Sequence, residues 1–142
     1  MGYQSVKDHI SKMLKTKGFV ESKEVFSFEE GSDQSTHKKF TLEREEIDMD
    51  AEGTEYIVNL VRPLFLYKLT LGFKISAQSQ IMDYDISQNI VDTVIAYLNN
   101  PANYNTVLVK MKTSNLKTQL VDEHLEVVIQ LEVLDDITLT TS

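Results

Sequence analysis

The chain has 142 residues, a formal net charge of −8 and no cysteine. Its length fits one domain able to bury its own core, and the missing thiols exclude disulfides, thiolate metal sites and cysteine nucleophiles. The acidic balance argues against wrapping a nucleic-acid backbone, because phosphate neutralisation needs clustered Lys and Arg.

From Tyr3 to Lys17, the residues Tyr3, Val6, Ile10, Met13 and Leu14 share one side and Lys7, Lys12 and Lys15 the other, which predicts a surface helix with a basic outer face. Ser5 is the expected N-cap, Asp8 completes a shortened capping box, and Gly18 ends the helix. This first segment has no apolar run long enough for a signal peptide or membrane span, and Val6 stands where a myristoylation signal needs Ser or Thr. A soluble, intracellularly made protein is the expectation. Charge is polarised: lysines dominate the first segment, whereas Glu43, Glu45, Glu46, Asp48, Asp50, Glu52 and Glu55 crowd the middle. Opposite poles on one small domain favour self-association.

Glu24 to Phe28 has strand composition and leads into a turn-rich loop. Lys39 to Ile47 alternates through Phe40 and Leu42 until charge takes over, so its second half is expected to project as one side of an acidic hairpin. The tip of that hairpin is DMDAEGTE, the return strand runs from Tyr56 to Val61, and Arg62-Pro63 stops it. Leu66 to Ala77 is a long strand with Tyr67, Leu69, Leu71, Phe73, Ile75 and Ala77 on one face. Asp83 or Asp85 caps a helix running to about Asn99, whose apolar residues cover about half its circumference and need cover on more than one side. Thr106 to Lys112 is a strand, Thr113 to Val121 a polar loop carrying Leu116 and Leu120, and Glu123 to Leu134 a strand. In that strand Leu125, Val127, Ile129, Leu131 and Val133 face the core, while His124, Glu126, Gln130 and Glu132 face outward. Asp135 to Ser142 is a C-terminal tail, either a last edge strand or an arm laid on another molecule. The expected fold is a single α+β domain over residues 1–142, a mostly antiparallel sheet with two helices packed on one face and a projecting acidic hairpin over residues 43–55.

No catalytic signature is present. Asp48, Asp50, Glu52 and Gly53 match the start of an EF-hand loop, but Asn59 stands where a bidentate Glu is required and the flanks read as strands, so the stretch is taken as an acidic turn. His9, His37 and His124 lack the spacing of a zinc-protease motif, and neither a nucleophile elbow nor a phosphate-cradling glycine loop occurs. The expected protein is not an enzyme and holds no cofactor or metal.

The order of helix, short strand, acidic-tipped hairpin, long strand, helix and long strand pair resembles the tail terminator proteins of long-tailed bacteriophages. The resemblance spans nearly the whole chain and is carried by YQSVKDHISKML at the start, LYKLTLGFKISAQ feeding DISQNIVDTVIAYLNN, and TVLVKMK beside LEVVIQLEVL. It implies a homo-oligomeric ring, usually hexameric, that caps the tail tube, stops its polymerisation and offers a surface for head-tail joining. Its partners would be further copies of itself, the tail tube protein and a head-tail connector protein. DNA would pass through the channel as cargo, and an acidic lumen would keep that channel slippery. The implied location is the head-proximal end of the virion tail, after assembly in the host cytoplasm. By the same analogy Lys12, Lys15, Glu43, Glu45, Glu46, Asp48, Asp50, Glu52, Leu116 and Leu120 are subunit or tube contacts, and Glu126, Gln130 and Glu132 face the channel or the outside of the sheet. A head-to-tail connector or neck protein, or another α+β interaction module, is the alternative. An enzyme would instead show a deep pocket gathering His9 or His124 with carboxylates.

Overall fold

A computed structural model describes residues 2–22, 37–49, 55–57, 60–103 and 110–139. The expected strand over 24–28, the first half of that over 106–112, and Asp50 and Glu52 lie outside those residues. Helix α1 is Tyr3–Thr16 and helix α2 is Gln80–Leu98. Strands β1 (Val20–Glu21), β2 (Lys39–Asp48), β5 (Leu64–Lys74), β6 (Lys110–Val121) and β7 (His124–Leu134) form one sheet in the order β1-β2-β5-β7-β6. Every pairing in it is antiparallel except the short β1–β2 contact. Strands β3 (Glu55–Ile57), β4 (Leu60–Arg62) and β8 (Ile137–Thr138) form a small second sheet.

Period-two alternation decides which face of the main sheet is buried. Phe65, Tyr67, Leu69, Leu71 and Phe73 of β5 stand opposite Val133, Leu131, Ile129, Val127 and Leu125 of β7, and all are buried. Val6, Ile10, Met13 and Leu14 of α1 and Val91, Val94 and Leu98 of α2 join the same cluster. The His9 and Tyr97 rings, 5.7 Å apart, bring the two helices together above the sheet. Burying each of these leucines and phenylalanines contributes about 2–3 kcal/mol, so the five-strand floor and its two helices stabilise one another. The fold is α+β, mostly antiparallel, with the helices on one face, as the sequence patterning requires.

Several local expectations need correction. Helix α1 is preceded by Gly2, not capped by Ser5, and Asp8 accepts a hydrogen bond from Gln4 Nε2 at 2.8 Å instead of closing a capping box. Gly18 does end the helix, with φ at +86°, a conformation that glycine adopts without a Cβ penalty. Helix α2 begins before both proposed caps, at Gln80. Asp83 lies inside its first turn and accepts from the Ser76 N–H and the Ser79 hydroxyl, so the carboxylate secures the segment entering the helix.

The stretch Thr113 to Val121 is not a loop. It is the second part of β6, paired with β7 down to a tight turn at Asp122-Glu123, where Asp122 has φ +56°. Nor does the strand from Lys39 fold back on Tyr56 to Val61. Its acidic half stays in the main sheet, with Glu43 opposite Lys68 and Asp48 opposite Leu64, while β3 and β4 pair with each other. The described part of the predicted arm, up to Asp48, is therefore sheet edge and not a projection. Pro63 marks where the chain leaves the small sheet and enters the main one, consistent with its missing ladder donor.

Of the two possibilities for the C-terminal stretch, the described part takes the edge strand, with Leu60 opposite Thr138 and Val61 opposite Ile137. The Arg62 guanidinium meets the Asp136 carboxylate at 2.6 Å and 3.3 Å. Asp135 is buried and accepts the Gly2 N–H at 2.7 Å, and its other oxygen takes the Asp136 N–H at 2.8 Å. Asp135→Ala leaves the Gly2 donor without this partner and is expected to lower unfolding stability by about 1–3 kcal/mol, read from urea denaturation. The change in midpoint should come with an unchanged denaturant slope.

Candidate functional site

The helices cover one face of the main sheet and leave the other uncovered by either of them. That open face carries Lys39, Thr41, Glu43, Glu46 and Asp48 from β2, and Leu64, Leu66, Lys68, Thr70 and Lys74 from β5. From β7 it has His124, Glu126, Val128, Gln130, Glu132 and Leu134, and from β6 Lys110, Lys112, Asn115, Lys117 and Gln119. Lysines and carboxylates alternate across it. Lys112 Nζ lies 3.7 Å from Glu132, and Glu43 stands opposite Lys68. Glu126, Gln130 and Glu132 are on this face, as expected, but the lysines beside them make it mixed and not acidic.

A shallow groove of about 460 Å³ crosses the sheet where two β-bulges lie on either side of one cross-strand row. One bulge interrupts β2 between Arg44 and Glu46 and the other interrupts β6 between Thr113 and Asn115. Both flank the pair Tyr67 and Leu131, and the groove is lined by Glu45, Glu46, Leu64, Leu66, Ser114, Gln130 and Glu132 among others. Extra residues on two strands beside one row bend the sheet there.

The other expected contact residues do not converge. Lys12 and Lys15 are exposed on α1, whose buried residues pack on the helix-covered side of the sheet, whereas Glu43 and Glu46 belong to the open side, so Lys12 and Lys15 do not pair with Glu43 or Glu46. Lys7 of the same helix instead pairs with Glu21 at 2.6 Å, which raises the pKa of its ammonium. Leu116 packs against the core beneath α2, while Leu120 is 44% exposed at the end of β6.

Sequence reasoning missed two features. Arg44, read only as part of a charge run, lays its guanidinium 5.6 Å from the Tyr3 ring and 5.1 Å from the Phe65 ring, tying the start of α1 to the sheet through cation–π contacts. Burial pushes the neighbouring Tyr67 hydroxyl up to about 12, with the Arg44 charge pulling the other way. The second feature is at the head of α2, where Ile81 is 80% exposed and Met82, Tyr84 and Ile86 lie beside it in solvent. The wide apolar arc of this helix was the legible signal, but its first two turns extend past the cover that α1 provides.

Beside those turns a second groove, of about 300 Å³, gathers His37, Lys38, Phe73, Lys74, Asp83, Ile86, Ser87 and Ile90. It combines a histidine, a carboxylate and a serine, and each of them makes a hydrogen bond to backbone. His37 Nδ1 accepts the Lys74 N–H at 2.9 Å, which assigns its proton to Nε2. Asp83 is engaged by Ser76 and Ser79, and Ser87 Oγ donates to the Tyr84 carbonyl at 2.6 Å. Among the described residues no group of three or more His, Asp or Glu is placed to hold a metal ion. No described helix is long and apolar enough to cross a membrane. No family model matches the chain, and no curated protein is significantly similar to it.

His9, buried between the helices with no hydrogen-bond partner for Nε2, has its pKa lowered first by desolvation and then by Lys12. Desolvation and nearby lysines lower that of His37 as well. Between the folded pKa and the ordinary value of 6.5 the unfolded chain binds more protons, so stability is full above that value and falls as pH drops through it. Thermal midpoints measured from pH 7.5 to 5.5 should therefore decline, and His9→Leu should flatten part of that decline.

Proposed function

We propose that this protein is a structural, non-enzymatic virion component that assembles into a homo-oligomeric ring at the head-proximal end of a long-tailed phage tail. In that place it caps the tail tube, ends its polymerisation and presents a surface for head-tail joining. The observation that carries this reading is the one-sided sheet: two described helices on one face, and on the other a broad, mixed and charge-rich face with no convergent catalytic set among the described residues. The resemblance of the sequence layout to tail terminator proteins, apart from the acidic-tipped hairpin, supplies the family context. A near-balanced array of Lys and Glu suits a channel wall past which a polyanion slides, since neither a net cationic excess nor a dense acidic wall is present. The exposed Ile81, Met82, Tyr84 and Ile86 supply an apolar contact of the kind that a subunit uses against a tube or connector.

A connector or neck protein shares these features and is distinguished by its partner. Native mass spectrometry and light scattering across protein concentration and salt should show a single closed species of fixed subunit number. The same ring, added to polymerising tail-tube protein, should arrest elongation at the end it occupies. Binding to the head-side connector without any effect on tube growth would favour the connector reading. A protein that stays monomeric at high concentration and ignores tube ends would overturn both.

A further inference from the structure

We infer that copies of this chain join head to tail by pairing the outer edge of β6 in one copy with the outer edge of β2 in the next, so that one antiparallel sheet runs on across the subunit boundary. This rests on the self-assembly part of the reading above and names the surface that performs it.

The two strands are at opposite ends of the described sheet. Strand β6 is 12 residues long and, among the described strands, pairs only with β7; Thr113 donates its N–H to the Asn99 side chain, and beyond it the outer edge from Ser114 to Leu120 meets no described strand. Strand β1 pairs with β2 only at Lys39 and Phe40, so no described strand pairs the outer edge of β2 from Leu42 to Ile47. Long unpaired edges present a row of backbone donors and acceptors that another strand can satisfy. Direction fits as well. Because β2, β5, β7 and β6 alternate in direction, β2 and β6 run opposite ways, and a neighbour in the same orientation brings β2 antiparallel to β6.

Register then gives a row-by-row comparison. Following each row across the sheet, Lys112 is level with Glu46, Asn115 with Glu43, Leu116 with Leu42, and Thr113 with Arg44. In a neighbour without axial shift these residues meet. Lysine then faces glutamate on the open face, leucine faces leucine on the helix side, and none of these rows sets like charges together. The two bulges also fall on either side of the same row, Tyr67 with Leu131, so both edges bend at nearly the same height.

Charged edges usually serve to prevent pairing, and here they would prevent the wrong pairing. Two β6 edges would bring Lys110, Lys112 and Lys117 against one another, and two β2 edges would oppose Glu43, Glu45 and Glu46. Like-charge opposition disfavours both symmetric dimers and leaves the mixed edge as the admitted one. A contact between unlike patches propagates, and it closes into a ring when the rotation per step divides a full turn.

The test is a charge swap between copies. Glu46→Lys and Lys112→Glu should each weaken self-association by about tenfold at low salt, since each sets like charges across every boundary. An equimolar mixture of the two variants should assemble again, with copies alternating and each variant present in equal number by native mass spectrometry. Hydrogen exchange on the unmodified protein is the check independent of folding defects: amides of residues 114–120 and 42–47 should slow on assembly. If the unmodified protein never assembles, the self-assembly reading falls together with this one. If it assembles but either variant does so equally well alone, the mixture recovers nothing, or those amides exchange unchanged, the edge pairing is wrong while self-assembly through another surface stands.

Discussion

The pairing of β5 with β7 is the constraint on which the other contacts depend. These strands match residue for residue over 11 positions, with no bulge between them. Because side chains alternate strictly, a slip of one residue would turn Phe65, Tyr67, Leu69, Leu71 and Phe73 to the open face and destroy the floor on which both helices rest. Everything less regular lies further out: the bulges are in β2 and β6, the parallel contact is at β1, and the small sheet attaches where β4 and β8 flank the ends of β5 and β7. Regularity at the centre thus allows irregularity at the edges.

The same geometry explains what could be read from the sequence. The odd-numbered apolar runs of β5 and β7 and the amphipathic stripe of α1 were legible because no interruption breaks their period. The two strands that were misjudged are the two that carry bulges. In β6, Met111 and Thr113 face the helices at odd positions, but beyond the bulge that side passes to Leu116, Thr118 and Leu120 at even ones. A reader holding one phase sees the leucines stranded in a polar loop. In β2 the inward side shifts from Phe40, Leu42 and Arg44 to Ile47, so the acidic residues between them look like the end of a strand. A bulge leaves no mark in composition; only the paired partner reveals it. The cap assignments failed for another reason: Ser5 and Asp83 have suitable side chains, but the chain before each already turns into the helix, at Gly2 and Ser79 respectively.

Charge tells a similar story at the candidate site. The sequence shows a lysine-rich start and an acidic middle, which suggests two poles attracting one another. Folding places the helix lysines on one side of the sheet and alternates Glu43, Glu46, Glu126 and Glu132 with Lys68, Lys112 and Lys117 on the other. Linear charge runs become a cross-strand lattice because strands distant in sequence are neighbours in the sheet, and cross-strand pairs are where sheet electrostatics act. The net charge of −8 survives as a property of the chain without producing an acidic wall.

The polar side chains of the second groove have a structural use. His37, Asp83 and Ser87 share it, and each makes a hydrogen bond to nearby backbone that helps fix the junction between β5 and α2. These polar groups hold the fold, and the extended surfaces of the described chain are a mixed sheet face, an apolar helix head and two unlike strand edges. Extended, unlike surfaces on one domain cannot all be satisfied by a two-fold dimer, which buries one patch against itself and leaves the others in water. Repetition in one direction satisfies opposite edges at every boundary, and the right-handed twist between strands supplies a rotation at each step. In the edge-to-edge assembly proposed above, the regular central strand pair would be repeated in every copy, the sheet would be the continuous element and the helices would form its outer cover.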